Sequence, residues 1–431
     1  MINLQEEQEK KARCLLIGAP NRLQEPPLEL MALVETLGME TAGTMVLSRI
    51  EPTPAYGIGT GKAQEIANRA KEIFADCIIF DWEIDPSKQR NWEKLSGINV
   101  FDRNEVIIRI FAQRAQTKEA MLQVQLARLT YSLPRLSHMY GDLSRQRGGN
   151  YGSKGSGETQ LELDRRQIED KILQIKKDLE QVAVNRKTQR KMREKGGIAS
   201  CALVGYTNAG KSSLLNALTG ADVLVEDKLF ATLDPTTRKF AISDAASVLI
   251  TDTVGFISNL PHTLIDAFRS TLEESALADA LILVVDSSDD SCEAQYTQVL
   301  KVLEEIKAHD IPRIVVLNKI DRIKDDDVRL SHLETAFPGA LKVSAHTGEG
   351  FEELLSRMKE ILLGSLENYI VPSTRADLVE LVRKNGTIES EEWLDDGVHL
   401  NARIPGTIDE EGNASTRTLS LLMPYMGILK N

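Results

Sequence analysis

The first hundred residues alternate between short apolar runs and longer stretches in which apolar positions recur every three or four residues. The short runs predict buried strands, and the three-to-four spacing predicts helices. The predicted strands are residues 14–18, 43–50, 77–80 and 98–101, and the predicted helices are residues 27–37 and 62–74. Because alternation of this kind is typical of α/β folds, the pattern predicts a small α/β domain over residues 1–112.

Two apolar stripes of helical period follow this domain. Their members are Leu122, Leu126, Leu129 and Leu133 in the first stripe and Ile168, Ile172, Ile175, Leu179 and Val182 in the second. Between the stripes, residues 141–157 contain six glycines together with Arg145, Arg147 and Lys154. This predicts an antiparallel helical hairpin over residues 113–197 with a long basic tip, which is either disordered or functional. Since the tip is long enough to reverse direction, we expect the stripes to pair within one chain and the protein to be a monomer.

The alternation of strands and helices returns at residue 198. Continuous apolar runs at residues 201–204, 248–250, 281–285 and 314–317 predict strands that are buried on both faces, as a mostly parallel sheet requires. A helix over residues 350–362 completes a domain that spans residues 198–364. A helix near residues 374–383 and a strand at residues 398–404 predict a small α/β domain over residues 365–431. The predicted fold class is therefore α/β, with several domains.

Composition narrows the class of protein. The 431 residues are 42% hydrophobic and 27% charged, which excludes wholesale disorder, a collagen-like fibre and a membrane-embedded protein. No apolar run reaches the roughly 18 residues that cross a bilayer, and the amino terminus carries no secretory signal. The cysteines at positions 14, 77, 201 and 292 lie far apart and indicate neither a disulfide framework nor a zinc knuckle. We therefore expect a cytoplasmic protein with no membrane span.

Charge is distributed unevenly along the chain. The net charge is −12, which argues against a uniformly basic nucleic-acid-binding protein. Residues 109–195, however, carry 19 basic and 10 acidic side chains, a local net charge of +9, so the remaining chain carries −21. One segment could therefore bind phosphate backbones while the rest keeps the protein soluble.

A glycine-rich loop supplies the strongest chemical signal. It fits the pattern G-x-x-x-x-G-K-[ST], follows a predicted strand, precedes an apolar helix beginning at Ser213, and consists of Gly205, Tyr206, Thr207, Asn208, Ala209, Gly210, Lys211 and Ser212. Such a loop turns backbone N–H groups and a helix amino terminus toward phosphate oxygens. Lys211 is expected to neutralise the β- and γ-phosphates, and Ser212 is expected to ligate Mg²⁺. The alternative, an ordinary glycine turn that caps a helix, explains less of this pattern.

Three further motifs follow in the order that a guanine-nucleotide site requires. They are Asp252, Thr253, Val254 and Gly255 after one buried strand; Asn318, Lys319, Ile320 and Asp321 after another; and Ser344, Ala345 and His346 after a third. Asp252 suits a water-bridged contact to Mg²⁺, and the Gly255 amide suits the γ-phosphate. Asp321 can accept hydrogen bonds from two guanine N–H groups that adenine lacks. The segment from Ser344 is expected to close over the base.

A candidate first switch lies between the first two motifs and comprises Phe230, Ala231, Thr232, Leu233 and Asp234. Thr232 is the preferred second ligand for Mg²⁺, with Thr236 and Thr237 as competitors and a plain turn threonine as the alternative. Lys211, Thr232 and Gly255 are the residues expected to carry hydrolysis. Together the motifs resemble the translation-factor-related GTPases, and the resemblance covers residues 198–364.

Phe256 follows Gly255, where many GTPases have a glutamine that orients the attacking water. A phenylalanine side chain cannot hydrogen-bond to water, so we expect slow intrinsic hydrolysis that a partner stimulates. Packing of the switch by Phe256 is a compatible second role.

A second glycine-rich string, Gly57 to Lys62, lies in the amino-terminal domain. It lacks a glycine at Tyr56 and a hydroxyl at Ala63, so a structural turn before a helix is favoured over an independent phosphate site.

Several segments are similar to those of the HflX family. They are Gly155 to Arg166, which read G-S-G-E-T-Q-L-E-L-D-R-R, Tyr56 to Lys62, Val100 to Arg103, Gln123 to Leu136, Phe230 to Asp234 and Asp252 to Phe256. This resemblance covers nearly the whole chain and implies a GTPase that uses Mg²⁺ and binds the ribosome, chiefly the large subunit. It also implies that the glycine-rich tip reaches ribosomal RNA. Phosphate contacts are then expected from Arg145, Arg147, Lys154, Arg165 and Arg166, with a solvated basic face as the alternative.

The resemblance predicts a ribosome-stimulated GTPase that dissociates or rescues stalled ribosomes. One alternative is a GTP-regulated binding switch in large-subunit assembly or RNA remodelling that splits nothing. Another is an ATPase that works through the amino-terminal domain.

Overall fold

The computed structural model describes residues 11–20, 25–50, 53–146, 156–195, 198–220, 228–258, 274–406 and 414–427. The chain divides into two compact units. The first unit comprises Met1–Ala183, Asp227–Leu233 and Asn259–Phe268, and the second comprises Val184–Glu226, Asp234–Ser258 and Arg269–Asn431. The domain boundaries expected after residues 112, 197 and 364 remain predictions.

The first unit begins with a four-stranded parallel sheet of order β2-β1-β3-β4. Its elements are β1 (Arg13–Gly18), α1 (Leu28–Thr36), β2 (Glu40–Val46), α2 (Thr60–Glu72), β3 (Cys77–Phe80), α3 (Pro86–Ser96), β4 (Asn99–Asp102) and α4 (Arg103–Arg114). The predicted strands and helices are present, with bounds shifted by a few residues. The apolar pattern missed α3 and α4, although Pro86 begins α3 and the Asp102 carboxylate accepts a hydrogen bond from the Glu105 N–H at the start of α4.

Two long helices follow, α5 (Lys118–Gln146) and α6 (Ser156–Lys195). Both are longer than predicted, and the glycine-rich tip expected over residues 141–157 is reduced to residues 147–155, which lie outside the described residues. The reason is that both helices continue beyond their apolar stripes into polar sequence. A helix on the surface tolerates polar residues on every side of its exposed turns. The helix α5 packs against α3 and α4, so its apolar stripe serves the α/β domain.

One buried carboxylate joins α5 to that domain. Asp102 accepts hydrogen bonds from the Ile84 N–H (3.1 Å), the Tyr131 hydroxyl (2.9 Å) and the Arg135 guanidinium (3.2 Å). Burial raises the pKa of the Asp102 carboxyl above its ordinary value. Burial also raises the pKa of the Tyr131 phenol. These bonds fix the middle of α5 to the end of β4.

The second unit contains a six-stranded sheet of order β10-β9-β8-β5-β7-β6. Its elements are β5 (Ser200–Gly205), α7 (Lys211–Thr219), β6 (Thr236–Ala241), β7 (Ser247–Asp252), β8 (Ala280–Asp286), α8 (Cys292–Glu305), β9 (Arg313–Asn318), α9 (Asp327–Ala336), β10 (Leu341–Lys342) and α10 (Phe351–Leu363). All neighbouring strands are parallel except β6, which runs antiparallel to β7. The mostly parallel sheet is thus confirmed, and its central strands are buried as the apolar runs predict.

The same unit ends in a three-stranded antiparallel sheet of order β11-β13-β12. Its elements are β11 (Leu366–Val371), α11 (Ala376–Asn385), β12 (Thr387–Leu394), β13 (Gly397–Arg403) and α12 (Arg417–Leu422). Strand and helix are both present, as predicted. The strands are antiparallel because only a two-residue turn separates β12 from β13.

All four cysteines are buried thiols. Burial raises the pKa of Cys201 to about 12 and also raises that of Cys292. The pKa of Cys14 rises because its thiol is buried beside Cys77, with the two Sγ atoms 3.3 Å apart on adjacent strands. Within the described parts of the chain, none of the helices combines the length and the apolar character that crossing a membrane requires.

Candidate active site

The glycine-rich loop joins the end of β5 to the start of α7, as the pattern predicts. Two of its glycines are required by crowding. A Cβ on Gly205 would lie 2.3 Å from the Val284 carbonyl oxygen, and a Cβ on Gly210 would lie 2.3 Å from Asn318 Nδ2. Both residues also have positive φ angles, +155° and +91°, which side chains other than glycine rarely adopt. The loop is therefore pressed against the neighbouring strands.

Lys211 stands at the first position of α7 and is 6% exposed. Its ammonium donates hydrogen bonds to the carbonyl oxygens of Gly205 (3.2 Å) and Tyr206 (2.8 Å). Burial lowers the pKa of Lys211 to about 8, with Lys319 acting in the same direction and Asp252 in the opposite one. A buried ammonium that donates its hydrogen bonds to neutral carbonyl groups is poised to gain an anionic partner.

The next residue, Ser212, donates a hydrogen bond from its hydroxyl to Asp252 Oδ2 at 2.6 Å. Asp252 ends β7 and is completely buried. A hydroxyl beside a carboxylate offers the hard oxygen ligands that Mg²⁺ prefers, so these two residues fit that ion. The described residues contain no cluster of three or more His, Cys, Asp or Glu side chains that could hold a metal without further ligands.

The residues that follow Asp252 lie against the glycine-rich loop. Thr253 donates from its hydroxyl to the Leu203 carbonyl at 2.7 Å, and Val254 is buried. A Cβ on Gly255 would lie 2.8 Å from Thr207 Cα and 3.1 Å from Lys211 Nζ. The Thr207 hydroxyl is buried without a hydrogen-bond partner among the described residues, which leaves one polar group in this cleft open to a ligand.

Asn318 and Lys319 connect the third motif to the same loop. The Asn318 amide donates to the Ala209 carbonyl at 2.9 Å and its oxygen accepts from the Ala345 N–H at 3.0 Å. Lys319 donates to the Asn208 carbonyl at 2.8 Å and to the Asp286 carboxylate at 2.7 Å. The polar side chains at the ends of β8 and β9 thus hold the loop in place.

Asp321 lies in a short 3₁₀ turn, residues Ile320–Arg322, and accepts a hydrogen bond from the Ser344 hydroxyl at 2.6 Å. Ser344 in turn accepts from the Thr347 N–H at 3.1 Å. Ile320 is buried, and His346 is exposed. Asp321 and the segment from Ser344 to His346 are therefore adjacent, as expected for residues that close around a base.

The candidate first switch falls in both units. Phe230, Ala231, Thr232 and Leu233 belong to the first unit, and Asp234 belongs to the second. The Phe230 ring is 2% exposed and packs against the Phe111 ring of α4, with centroids 4.6 Å apart. The Leu229 N–H donates to the Thr36 hydroxyl at 3.2 Å. The first unit therefore holds this segment against its α/β domain, and the magnesium role of Thr232 remains a prediction.

The competing threonines occupy β6 of the second unit. The Thr237 hydroxyl lies 2.9 Å from the Thr251 hydroxyl on the neighbouring strand, and Thr236 pairs with Asp252 in the sheet register. Both residues are committed to strand pairing. The sequence pattern missed this because β6 lies at a sheet edge and begins with four consecutive polar residues, Thr-Thr-Arg-Lys.

The string from Gly57 to Lys62 forms a turn that runs into the start of α2, and the carbonyl groups just before the string accept hydrogen bonds from α3. The Asn91 amide donates to the Ala55 carbonyl at 2.9 Å, and the Trp92 indole donates to the Tyr56 carbonyl at 3.0 Å. Lys62 forms an ion pair with Glu65. This arrangement favours the structural turn over a second phosphate site.

Only part of the expected RNA-contacting set lies in the described residues. Arg165 and Arg166 are exposed on α6 and pair with Glu169 and Glu162, one helical turn away. Arg147 and Lys154 lie outside the described residues, and for Arg145 the structure describes only the helical backbone. Contact of these side chains with RNA remains a prediction.

One functional residue, Asp286, and one contact of the glycine-rich loop were not anticipated from the sequence. Asp286 ends β8 directly after an apolar run and pairs with Lys319. The Tyr206 hydroxyl accepts a hydrogen bond from the Ser258 N–H at 2.6 Å. The position of Asp286 at a strand's carboxyl end was a readable signal, whereas the Tyr206 contact depends on how two loops pack.

Three family models match this chain in succession. Residues 25–112 match a model described as GTP-binding GTPase N-terminal, and residues 114–193 match one described as GTP-binding GTPase Middle Region. Residues 200–319 match a model described as 50S ribosome-binding GTPase.

Among curated proteins, the GTPase HflX of Akkermansia muciniphila is 44% identical over 425 residues, covering 94% of this chain and 97% of that protein. The GTPase HflX of Escherichia coli strain K12 is 41% identical over 380 residues, covering 88% of this chain and 89% of that protein. A GTP-binding protein from the archaeon Sulfolobus solfataricus, solved in complex with GDP, is 27% identical with a TM-score of 0.44 and covers 81% of this chain and 98% of its own.

Proposed function

Since the chain belongs to the HflX family of ribosome-binding GTPases, we propose that it hydrolyses GTP at the sheet edge where its four motifs meet and that the large ribosomal subunit stimulates hydrolysis. One observation carries the location of the site. Hydrogen bonds join Asn318 to Ala209, Ser212 to Asp252 and Ser344 to Asp321. The four motifs therefore form one cleft at the carboxyl ends of parallel strands, where open α/β sheets bind ligands.

Each part of the cleft has a separate task in this proposal. Backbone N–H groups of Asn208, Gly210 and Lys211, together with the Lys211 ammonium, bind the phosphates. Asp321 accepts hydrogen bonds from the guanine N–H groups, and the Ser344 hydroxyl holds its carboxylate in place. Ala345 and His346 border the base, and the close approach of Thr207 to Gly255 sets the other end of the cleft.

Magnesium completes the site. Ser212 and Asp252 would hold the ion, directly or through water, and Thr232 would add a second hydroxyl ligand. When bound, the ion neutralises charge on the phosphate oxygens. The observed pairing of a hydroxyl with a buried carboxylate supports this choice, because both groups are hard oxygen donors.

The dependence on a partner follows from Phe256. Its side chain is 1% exposed and cannot bond to water, so nothing on it replaces the glutamine that orients water in many GTPases. A group supplied or positioned by the ribosome would complete the site. Slow basal turnover and strong stimulation are expected together.

Three observations support the large ribosomal subunit as the partner and the cytoplasm as the location. The family model that matches residues 200–319 is described as a 50S ribosome-binding GTPase. The local charge of +9 over residues 109–195 suits ribosomal RNA. The family model described as GTP-binding GTPase Middle Region matches residues 114–193, which make up most of that basic segment. We infer that the protein dissociates or rescues stalled ribosomes.

The first experiment measures GTP turnover with and without large ribosomal subunits at two salt concentrations, with Lys211→Ala as the blank. Strong stimulation that weakens at the higher salt concentration is expected. Equal turnover with and without subunits would contradict the proposed partner while leaving the GTP site in place.

A second experiment separates splitting from docking. Light scattering of intact ribosomes is followed with GTP and with a non-hydrolysable analogue. A fall in scattering supports dissociation of subunits. Unchanged scattering under conditions that support binding would favour the GTP-regulated switch in assembly or RNA remodelling.

A further inference from the structure

The segment after Gly255 is joined to the glycine-rich loop by a short ladder beyond the ends of β5 and β7. The Phe256 N–H donates to the Gly205 carbonyl at 3.0 Å, and the Thr207 N–H donates to the Phe256 carbonyl at 2.7 Å. Tyr206 and Phe256 thus form an isolated parallel bridge. The two segments continue the strand pairing without being part of the sheet.

This bridge is out of register with the strands by one residue. In the sheet, Leu203 pairs with Asp252, whereas beyond it Tyr206 pairs with Phe256. One extra residue must therefore be accommodated between Asp252 and Phe256, as in a β-bulge. The residues between Asp252 and Phe256 include Gly255. Its close contact with Thr207 and Lys211 leaves no space for a Cβ.

A side chain closes the far end of the ladder. The Tyr206 hydroxyl accepts a hydrogen bond from the Ser258 N–H at 2.6 Å, two residues beyond the bridge. Tyr206 is half-buried, and Phe256 and Ile257 are fully buried beneath it. The backbone from Gly255 to Ser258 is therefore held at both ends, by the bridge and by the phenol oxygen.

Resting on the proposed GTP site, we propose that Tyr206 is a positioning residue for hydrolysis, and that its hydroxyl fixes the backbone from Gly255 to Ser258 against the phosphate-binding loop. Because the Phe256 side chain cannot orient water, that task falls to backbone groups in this segment and to a partner. Backbone groups act in catalysis only when they are held in the productive geometry. Tyr206 supplies the tether through the hydrogen bond that its hydroxyl accepts from the Ser258 N–H.

The test compares Tyr206→Phe with the wild-type protein and with Tyr296→Phe. The Tyr206 change removes one oxygen and retains the ring, so the loop keeps its packing. Tyr296 lies on α8, packed edge-on against Phe337, and its change removes the same atom away from the site. Measurements are kcat and KM for GTP with and without large subunits, the GDP dissociation constant, and hydrogen exchange of the Ser258 amide.

In Tyr206→Phe, kcat is expected to fall about fivefold to tenfold, the loss of roughly one hydrogen bond. The GDP dissociation constant is expected to stay within about twofold, and the Ser258 amide is expected to exchange faster while the Phe256 amide does not. Tyr296→Phe is expected to match the wild type in all three measurements.

An unchanged or raised kcat in Tyr206→Phe overturns the proposal. So does a parallel loss of kcat and GDP affinity, since that indicates a general role in loop folding. If wild-type turnover survives Lys211→Ala, the GTP site itself is wrongly placed. That result is distinguishable from failure of the Tyr206 proposal, in which turnover depends on Lys211 but not on the phenol.

Discussion

The Lys211 side chain is buried, yet it must carry a positive charge to bind phosphate groups. Its pKa of about 8 in the folded protein lies below the ordinary lysine value of 10.5. Between these values the folded protein binds fewer protons than the unfolded chain, so the contribution of this residue to stability increases as pH rises through that range. Phosphate groups favour the ammonium form. Nucleotide binding must therefore restore the missing proton.

We predict that GDP binding at pH 8.5 takes up most of one proton, and that binding at pH 7 takes up almost none. Calorimetry in buffers of different ionisation enthalpy measures this number. Lys239→Met, which changes an exposed lysine on β6, is expected to leave the uptake intact. Equal uptake at the two pH values would contradict the assignment.

The carboxylate of Asp321 is predicted to determine base choice. In Asp321→Asn an amide N–H replaces one acceptor oxygen, which removes a guanine contact and suits a carbonyl at the same position of the base, as in xanthine. We expect GTP affinity to fall by about 100-fold or more and XTP affinity to rise. Competition binding measures both. Asp325→Asn, at an exposed position nearby, is the control, and unchanged GTP affinity in Asp321→Asn would remove this residue from the site.

Two glycines distinguish a crowded position from an open one. A Cβ on Gly255 would press on Thr207 and Lys211, whereas a Cβ on Gly61 meets nothing within 4 Å. We expect Gly255→Ala to lower GTP turnover more than tenfold and Gly61→Ala to leave turnover unchanged. Gly61→Ala also replaces a glycine near the start of α2, which is expected to stabilise that helix by about 0.5–1 kcal/mol. Loss of turnover in Gly61→Ala would revive the second phosphate site.

The sequence predicted which residues belong to the candidate site better than it predicted the side-chain contacts that those residues make. The motif spacing located Asp252 and Asp321 at strand ends, where the structure has them. It could not show that Asp286 pairs with Lys319 or that Tyr206 binds Ser258, because those contacts arise between segments far apart in the chain. Spacing reports local structure, and contacts between loops depend on packing.

At the scale of elements, the strands that the sequence predicted are mainly those whose two faces are both buried. β5, β8 and β9 are continuous apolar runs because both of their faces are covered. β6 and β12 were missed because they lie at sheet edges and carry polar residues on their open faces. The ends of α5 and α6 were missed for a related reason, since exposed helix turns need no apolar stripe.

The link between α5 and β4 gives a prediction at this scale. Asp102→Ala removes the cap of α4 and leaves the Tyr131 hydroxyl, the Arg135 guanidinium and the Ile84 N–H without their buried acceptor. We expect local unfolding of α4 and the middle of α5 to become easier by about 3–5 kcal/mol. Hydrogen exchange of the α4 and α5 amides measures this change.

Tyr131→Phe is the matched comparison, because it removes a single hydrogen bond to the same carboxylate. It is expected to cost about 1 kcal/mol. If both variants changed amide exchange equally, the carboxylate would not be the centre of this network.

At the scale of the whole molecule, the uneven charge is the property most directly tied to the partner. Arg165→Gln combined with Arg166→Gln removes two cations from the exposed face of α6. We expect weaker stimulation by large subunits and a slope of log stimulation against log salt that is shallower by about 1 to 2. The stimulation is measured as GTP turnover across a salt series.

The control is Arg357→Gln, an exposed arginine on α10 that also pairs with a glutamate of its own helix. It removes a cation outside the basic segment and is expected to leave the salt slope unchanged. An equal effect of both variants would indicate general electrostatic attraction without a role for α6.

The order of folded regions along the chain was also largely readable. The four predicted regions each contain the expected helices and strands. The division into two compact units was not predicted. It assigns residues 227–233 to the first unit, whereas the sequence pattern assigned them to the domain over residues 198–364. That assignment depends on contacts such as the one between Phe111 and Phe230, for which neither segment alone carries a signal.

The four buried thiols have a practical consequence for following this protein at work. The burial of all four, together with the raised pKa values of Cys14, Cys201 and Cys292, leaves little thiolate available to alkylating dyes. A single cysteine introduced at an exposed position could therefore be labelled in the native background, without first replacing four core residues. Fluorescent reporters on α6 and on β6 would then record in real time how the basic helix and the GTPase sheet respond to nucleotide and to ribosomes.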